Sequence, residues 1–146
     1  MKRRTLLQSV SAAAFLPPLI SSEAREAGQD AEPGAETVYE LRVYHAAPGK
    51  LEQLLARFRD HTMAIFARHR IKSVAYWTPV EEPQKSNMLI YILRHPSRAE
   101  AEANWKSFQD DAEWKSVKTK SEENGKLVEK VDSTFMSLTD FSPRVR

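Results

Sequence analysis

The chain has 146 residues, of which 22 are basic and 20 acidic, and it contains no cysteine; this length is typical of a single domain. The absence of cysteine excludes a disulfide scaffold, a thiol nucleophile and Cys-based zinc or iron–sulfur sites. Four basic and two acidic residues fall within positions 1–27, which leaves 18 of each sign in the remainder. The remainder therefore lacks the basic excess of a nucleic-acid-binding surface, and no nucleic-acid partner is predicted.

Residues 1–27 have the pattern of an export signal. A basic start (KRR at 2–4) precedes the uncharged run 5–20, and small residues follow, so cleavage is expected after Ala24. The paired arginine before a mildly apolar run indicates twin-arginine export and a periplasmic or secreted protein. The alternatives are an ordinary secretory signal, a lipid-proximal anchor or an unprocessed tail. A stable membrane span is not predicted, because it needs about 20 apolar residues.

The segment 28–36 is rich in Gly, Pro, Ala and acidic residues and is interpreted as a linker. A first strand is predicted at 38–44, because its residues alternate and include β-branched and aromatic types. One face is expected to pack beneath helices and the other to point away from them. These two faces carry, respectively, Tyr39, Leu41 and Val43, and Glu40, Arg42 and Tyr44.

Helical and alternating periods predict the remaining elements. In chain order they are helix 51–69, strand 72–78, strand 87–94, helix 98–109, a short helix at 111–123 and strand 126–138. Ser97 and Glu100 form a capping box before the second helix, and Gly125 is a C-terminal stop for the short one. In the first helix, Arg57 is assigned to the solvent-facing side with the other charged residues.

The order βαββαβ predicts an α+β, ferredoxin-like fold, in which helices cover one face of a four-stranded antiparallel sheet. The third strand, residues 87–94, is apolar on both of its faces. Because the helices cover only one face, something must cover the other. A second copy of the same sheet does so most simply, so a homodimer is expected.

Four segments together resemble the NIPSNAP family: VYELRVY at 38–44, PGKL at 48–51, AYWT at 75–78 and AEW at 112–114. The resemblance covers residues 37–140 and leaves a tail at 141–146. It implies a dimeric α/β-barrel with one cavity per subunit. The wider superfamily includes cofactor-free monooxygenases and haem-dependent enzymes, whereas the family itself implies no settled activity, cofactor or catalytic residue. Asp111-Ala112 departs from the family's usual Asp-Pro.

The best candidate ligand site is the Glu40–Arg42–Tyr44 face of the first strand, which is expected to line the dimer cavity. Arg42 could bind a carboxylate or phosphate through two hydrogen bonds, and Tyr44 could donate to an oxygen. The competing interpretation is that Glu40 and Arg42 neutralise each other. Trp77 is a candidate aromatic wall for an apolar ligand, with an ordinary core aromatic as the alternative.

The four histidines suggest no metal motif, because none of them forms an His-x-x-x-His pair. His45 and His95 end predicted strands, so either could face the cavity as a base or haem ligand; the simpler interpretation is a solvated strand end. No metal and no cofactor are predicted.

Three classes of function remain open at this point. The first is a dimeric binding module for a small apolar or carboxylated ligand or for a protein partner. The second is a cofactor-independent oxygenase or isomerase of the dimeric barrel type, using Arg42, Tyr44 and His45. A haem protein is a third and weaker reading. The enzyme requires a titratable base in reach of its substrate, whereas the module predicts that Glu40 and Arg42 pair and that no histidine enters the cavity.

Overall fold

A computed structural model describes residues 37–145 as helices packed on one face of a four-stranded antiparallel sheet. The predicted leader and linker, residues 1–36, lie outside the described residues. The strands are β1 (Val38–Ala46), β2 (Lys72–Trp77), β3 (Met88–His95) and β4 (Val128–Met136), in the spatial order β2-β3-β1-β4. The predicted order of elements and the α+β fold class are therefore confirmed.

The first predicted helix is interrupted by a π-helical turn. It consists of α1 (Leu51–Arg57), the π turn (Phe58–Thr62) and α2 (Met63–Arg68). The hydroxyl of Thr62 donates to the Arg57 carbonyl at 3.1 Å. This gives the carbonyl a side-chain hydrogen bond at the point where the regular i→i−4 backbone pattern of the helix is interrupted. Arg57, Phe58 and Thr62, at and beside this turn, are all buried.

Two further helices follow β3. They are α3 (Arg98–Asp110), whose N-terminal Ser97 hydroxyl accepts from the Glu100 amide at 3.1 Å, and α4 (Ala112–Ser121). Asp111 caps α4 by accepting from the Trp114 amide at 2.9 Å. None of the side chains of α4 is fully buried. This helix therefore borders open space, whereas α3 buries Ala101 and Phe108.

The pairing register between β1 and β3 decides which face lies beneath the helices. Leu89 and Leu93 of β3 are buried in the core with Leu54, Phe58, Ile65 and Phe66. Their partners on β1 are Tyr44 and Glu40, and Arg42 pairs with Tyr91. Because paired residues share a face, the sequence-based assignment of the two β1 faces was wrong: Glu40, Arg42 and Tyr44 face the helices.

The opposite face of the sheet, called the outer face below, is largely apolar. It has no helix on it among the described residues, and most of its apolar side chains are only partly buried. These apolar residues, placed by the strand register, are Tyr39, Leu41, Val43, Ala75, Trp77, Met88, Ile90, Ile92 and Met136. No helix in the described part of the chain is long and apolar enough to cross a membrane.

Candidate functional site

The carboxylate of Glu40 is the centre of a buried hydrogen-bond network between the sheet and α3. Only 1% of Glu40 is exposed. Its Oε1 accepts from Arg42 Nη1 and from the Ser133 hydroxyl, both at 2.7 Å. Its Oε2 accepts from Trp105 Nε1 at 2.7 Å and from His95 Nε2 at 3.1 Å. Four donors therefore hold one carboxylate in place.

This network keeps Glu40 ionised. Burial alone would raise the pKa of Glu40, but hydrogen bonds from His95, Ser133, Trp105 and Arg42 outweigh burial and lower it to about 2. A carboxylate with its acceptor sites occupied by fixed donors is a poor general base, because a base must take a proton from the substrate. Glu40 is therefore a structural anion that positions its neighbours.

Arg42 is held between Glu40 and the aromatic rings of the core. Its guanidinium carbon lies 4.3 Å from the centroid of the Trp105 ring, and its Nη2 lies 3.5 Å from the Tyr44 hydroxyl. Burial works against the charge, yet the pKa of Arg42 is raised, because Tyr44, Tyr91 and Glu40 lie close to it. The geometry matches the competing interpretation from the sequence, in which Glu40 and Arg42 neutralise each other.

Tyr44 connects this interior network to a cleft at the surface, between α4 and β4. Its ring packs on Phe58 and Tyr91, with centroids 5.6 and 5.3 Å away. The cleft has a volume of about 360 Å³, and we call it the α4–β4 cleft. Its lining residues are Tyr44, Arg57, Trp114, Lys118, Glu122, Lys126, Val128, Glu129, Lys130 and Val131.

Arg57 is the buried cation of the α4–β4 cleft. Its side chain is 4% exposed, and its Nη1 donates to Glu122 Oε1 at 3.0 Å and to the Ser121 hydroxyl at 3.2 Å. The guanidinium carbon lies 5.3 Å from the centroid of the Trp114 ring, and Nε has no hydrogen-bond partner. The sequence-based assignment of Arg57 to solvent was wrong, because α4 and the segment after it cover its side chain.

The other sequence-predicted candidates lie apart from this cleft. His45 is on the outer face of β1, with Nε2 2.9 Å from Asp132 Oδ2. Trp77 is 47% exposed at the end of β2 and pairs with Ile90 on the same outer face. His95 is fully buried beside Glu40, so it is not the solvated strand end that the sequence suggested. Of the six candidates, only Tyr44 lines the α4–β4 cleft.

A second, wider groove of about 650 Å³ lies between α1, the π turn and α4. Arg57 lines both this groove and the α4–β4 cleft, whereas Ser121 lines the groove alone. The groove also contains Asp60, His61 and Lys120, but no aromatic residue is among its lining residues. Within residues 37–145, no cluster of three or more His, Asp or Glu side chains is placed to hold a metal ion.

The cleft residues that sequence reasoning missed include, besides Arg57, Trp114, Lys118, Glu122 and Lys126. Trp114 was assigned to packing, and the structure does place its ring 4.5 Å from the Phe108 centroid. The other three are ordinary charged residues at the end of α4 and in the loop after it. Nothing in their local pattern separates them from solvated charges, because the cleft forms only when α4 packs beside β4.

Comparison with known proteins agrees with this fold. The NIPSNAP family model matches residues 39–143. A NIPSNAP-like domain protein from Burkholderia xenovorans is similar in structure, with a TM-score of 0.66, 15% identity, and coverage of 77% of this chain and 94% of that one. A NIPSNAP family protein from Agrobacterium tumefaciens gives a TM-score of 0.64 at 21% identity, with coverage of 74% and 98%.

A more distant structural neighbour is a variant of SnoaB, a cofactor-independent oxygenase from Streptomyces nogalater. Its TM-score is 0.50 at 15% identity, with coverage of 75% of this chain and 100% of that one. No curated protein matched the sequence. At these identities the structural neighbours show the fold, and function has to be argued from the side chains. Because the family model spans more than two thirds of its length, the chain belongs to the NIPSNAP family.

Proposed function

We propose that this protein is an exported homodimer that binds a small carboxylate with an apolar or aromatic body in the α4–β4 cleft. The observation that carries the proposal is the combination, in one cleft, of a buried arginine, an indole ring and a phenol. Arg57 supplies a fixed positive charge, Trp114 a flat apolar wall, and Tyr44 a hydroxyl. Small-molecule sites typically combine an apolar wall with a few fixed polar groups.

The charges around the cleft favour an anion. Four basic side chains and two carboxylates line it, so the cleft carries a surplus of two positive charges. Lys118 and Lys126 are exposed and can steer an anion towards the opening. Arg57 is desolvated, and a charge-assisted hydrogen bond between a guanidinium and a carboxylate is strongest where water is excluded. A volume of about 360 Å³ is at the small end of ligand sites, which begin at roughly 300 Å³.

A binding role has more support than an oxygenase or isomerase role. The described lining of the α4–β4 cleft contains no histidine; of its two carboxylates, Glu122 is paired with Arg57, and Glu129 is exposed on β4. Glu40 lies deeper and accepts four hydrogen bonds. The structural similarity to SnoaB concerns the fold, and no side-chain observation adds a general base of the kind that proton abstraction requires.

The apolar outer face of the sheet is the basis for the proposed dimer, in which it forms the contact between two copies. The half-buried side chains of Leu41, Val43, Ile90 and Ile92 form its centre. An apolar sheet face of this kind is stabilised by burial against another apolar surface, and a second copy presents the same surface in a closed, symmetric contact. The helices and the α4–β4 cleft lie on the opposite side of the sheet and stay accessible in such a dimer.

The proposed ligand class is tested by titration calorimetry with 1-naphthoate and its neutral analogue 1-naphthalenemethanol. We expect 1-naphthoate to bind the wild-type protein at least ten times more tightly than the alcohol, because the alcohol cannot pair with Arg57. Lys118→Gln should weaken naphthoate binding about threefold, since one screened surface charge contributes less than 1 kcal/mol.

The matched control for that titration is Lys120→Gln, on the same helix but lining the wider groove. Its affinity for naphthoate should equal that of the wild type. If Lys120→Gln weakens binding and Lys118→Gln does not, the ligand occupies the wider groove instead. Equal affinity for acid and alcohol, or no binding of either, would contradict the proposed function.

Export is tested with the full chain in a bacterium that has a twin-arginine system. We expect the protein to reach the periplasm with Arg25 as its first residue, and the double substitution Arg3→Lys and Arg4→Lys to retain it in the cytoplasm, because the signal is read from the paired arginine. Fractionation and N-terminal sequencing measure both. A variant that is exported as well as the wild type would indicate a general secretory signal.

A further inference from the structure

We infer that the Glu122 carboxylate occupies the position on Arg57 that the ligand's carboxylate takes. The ligand therefore binds by displacing Glu122 from Arg57. This inference rests on the proposed function, and it assigns the anion-binding residue and a built-in competitor. Arg57 and Glu122 are joined by a 3.0 Å contact, and both line the α4–β4 cleft. A carboxylate that enters the cleft therefore meets a cation that already holds a carboxylate.

The burial of Arg57 explains why a competitor is present. Its side chain is 4% exposed, and a buried charge without a counter-ion is strongly destabilising. Glu122 supplies the counter-charge, and the Ser121 hydroxyl accepts a second hydrogen bond from Arg57. A ligand carboxylate can replace Glu122 without leaving the guanidinium uncompensated, whereas a neutral ligand cannot. The exchange therefore selects for anions.

The position of Glu122 allows its side chain to leave without unwinding α4. Glu122 directly follows the helix, and its amide donates to the carbonyls of Lys118 and Thr119 at 3.1 and 3.2 Å. Those backbone bonds do not involve the carboxylate. The side chain is 23% exposed and in contact with water, so a rotation about its own bonds returns the carboxylate to solvent.

The geometry also predicts which carboxylates displace Glu122 from Arg57 most effectively. Glu122 engages Arg57 through one oxygen on one nitrogen, Nη1, while Nε has no partner. A planar carboxylate that binds two guanidinium nitrogens at once gains a second charge-assisted hydrogen bond. A flat ring attached to that carboxylate can pack against Trp114, whose centroid lies 5.3 Å from the guanidinium carbon. Aromatic carboxylates should therefore displace Glu122 better than acetate does.

The test measures 1-naphthoate affinity by calorimetry for wild type, Glu122→Gln and Glu123→Gln. Glu123 is the exposed neighbour, and its substitution removes the same charge without touching Arg57. We expect Glu122→Gln to bind naphthoate about tenfold more tightly than wild type, and Glu123→Gln to stay within about twofold of it. Arg57→Lys should lose most of the affinity, because an ammonium cannot form the two-nitrogen contact. Thermal denaturation confirms that each variant is folded.

The outcomes separate this inference from the proposed function. If wild type binds naphthoate but Glu122→Gln binds with equal or lower affinity, Glu122 is no competitor and the exchange is overturned while the ligand class stands. If Glu123→Gln tightens binding as much as Glu122→Gln, the effect is general electrostatics and the exchange is again overturned. If neither wild type nor any variant binds, both proposals fail. Should Arg57→Lys not fold, Glu122→Ala provides the second test, with the same expected tightening.

Discussion

Replacing Glu40 by leucine is expected to lower the free energy of unfolding by about 3–5 kcal/mol, which is the usual cost of removing one partner from a buried ionic network. The substitution keeps the volume of the side chain but leaves four donors without an acceptor. Arg42 loses the carboxylate that balances its charge, and Trp105 and His95 lose hydrogen bonds inside the core. Equilibrium unfolding in urea, followed by circular dichroism, measures the change.

The control for this substitution is Glu129→Leu, at an exposed position of β4. A surface substitution of this kind usually changes stability by less than about 0.5 kcal/mol. If Glu40→Leu is as stable as Glu129→Leu, the network contributes nothing and the structural role of Glu40 is wrong. Glu40→Gln should fall between the two, because the amide accepts through one oxygen only and carries no charge.

Acid titration provides an independent readout of the same network. The pKa of Glu40 is about 2, against an ordinary value of 4.5. Because the folded-state pKa is lowered, ionised Glu40 stabilises the protein above about pH 4.5, and this contribution disappears as the pH falls towards 2. Over that interval the wild type should lose about 1–3 kcal/mol more than Glu40→Gln does. If the free energy of unfolding falls equally with pH in the two proteins, the lowered pKa of Glu40 is contradicted.

Ile92→Glu is expected to convert the proposed dimer into a monomer, with the dissociation constant raised at least a hundredfold. Ile92 lies on the outer face of the central strand β3 and pairs with Leu41. A carboxylate at that place would be buried without a partner in a symmetric dimer, and each copy would contribute one. Sedimentation equilibrium over a range of protein concentrations measures the change in association.

The matched control is Met63→Glu, on α2 and 42% exposed, which introduces the same charge on the side of the sheet that carries the helices. It should leave the dimer intact. A wild-type protein that is monomeric at all concentrations would overturn the proposed dimer. An Ile92→Glu protein that is still dimeric would place the contact on another surface.

The local patterns of the chain were sufficient for the order of the elements. Strand alternation, the helical period and the capping residues Ser97 and Asp111 act over a few residues, and the structure has each element close to its predicted position. The α+β class follows from that order, and the family model agrees with the resemblance seen in the sequence. Pairing of Glu40 with Arg42 was also foreseen as an alternative, since residues two apart share a face.

Local sequence patterns could not predict which face of β1 packs against the helices or where the cleft forms. The more apolar face of β1, with Tyr39, Leu41 and Val43, is the outer one, so alternation identifies the strand but not the side that faces the helices. The pairing of Arg42 with Tyr91 decides that side. Arg57 is buried because Trp114 of α4 and Glu122 pack against its guanidinium, a long-range contact that no local periodicity predicts.

The chain by itself therefore determined the elements, their order and the family, because these depend on interactions between near neighbours. Tertiary structure alone decided that Arg57, Trp114 and Glu122 meet beside Tyr44. These residues come from β1, α1, α4 and the segment after α4, and only the packing of α4 beside β4 removes the guanidinium of Arg57 from water. Desolvation is a property of the packed structure, and it is why Arg57, an ordinary charged residue in the sequence, is held as a buried cation paired with Glu122.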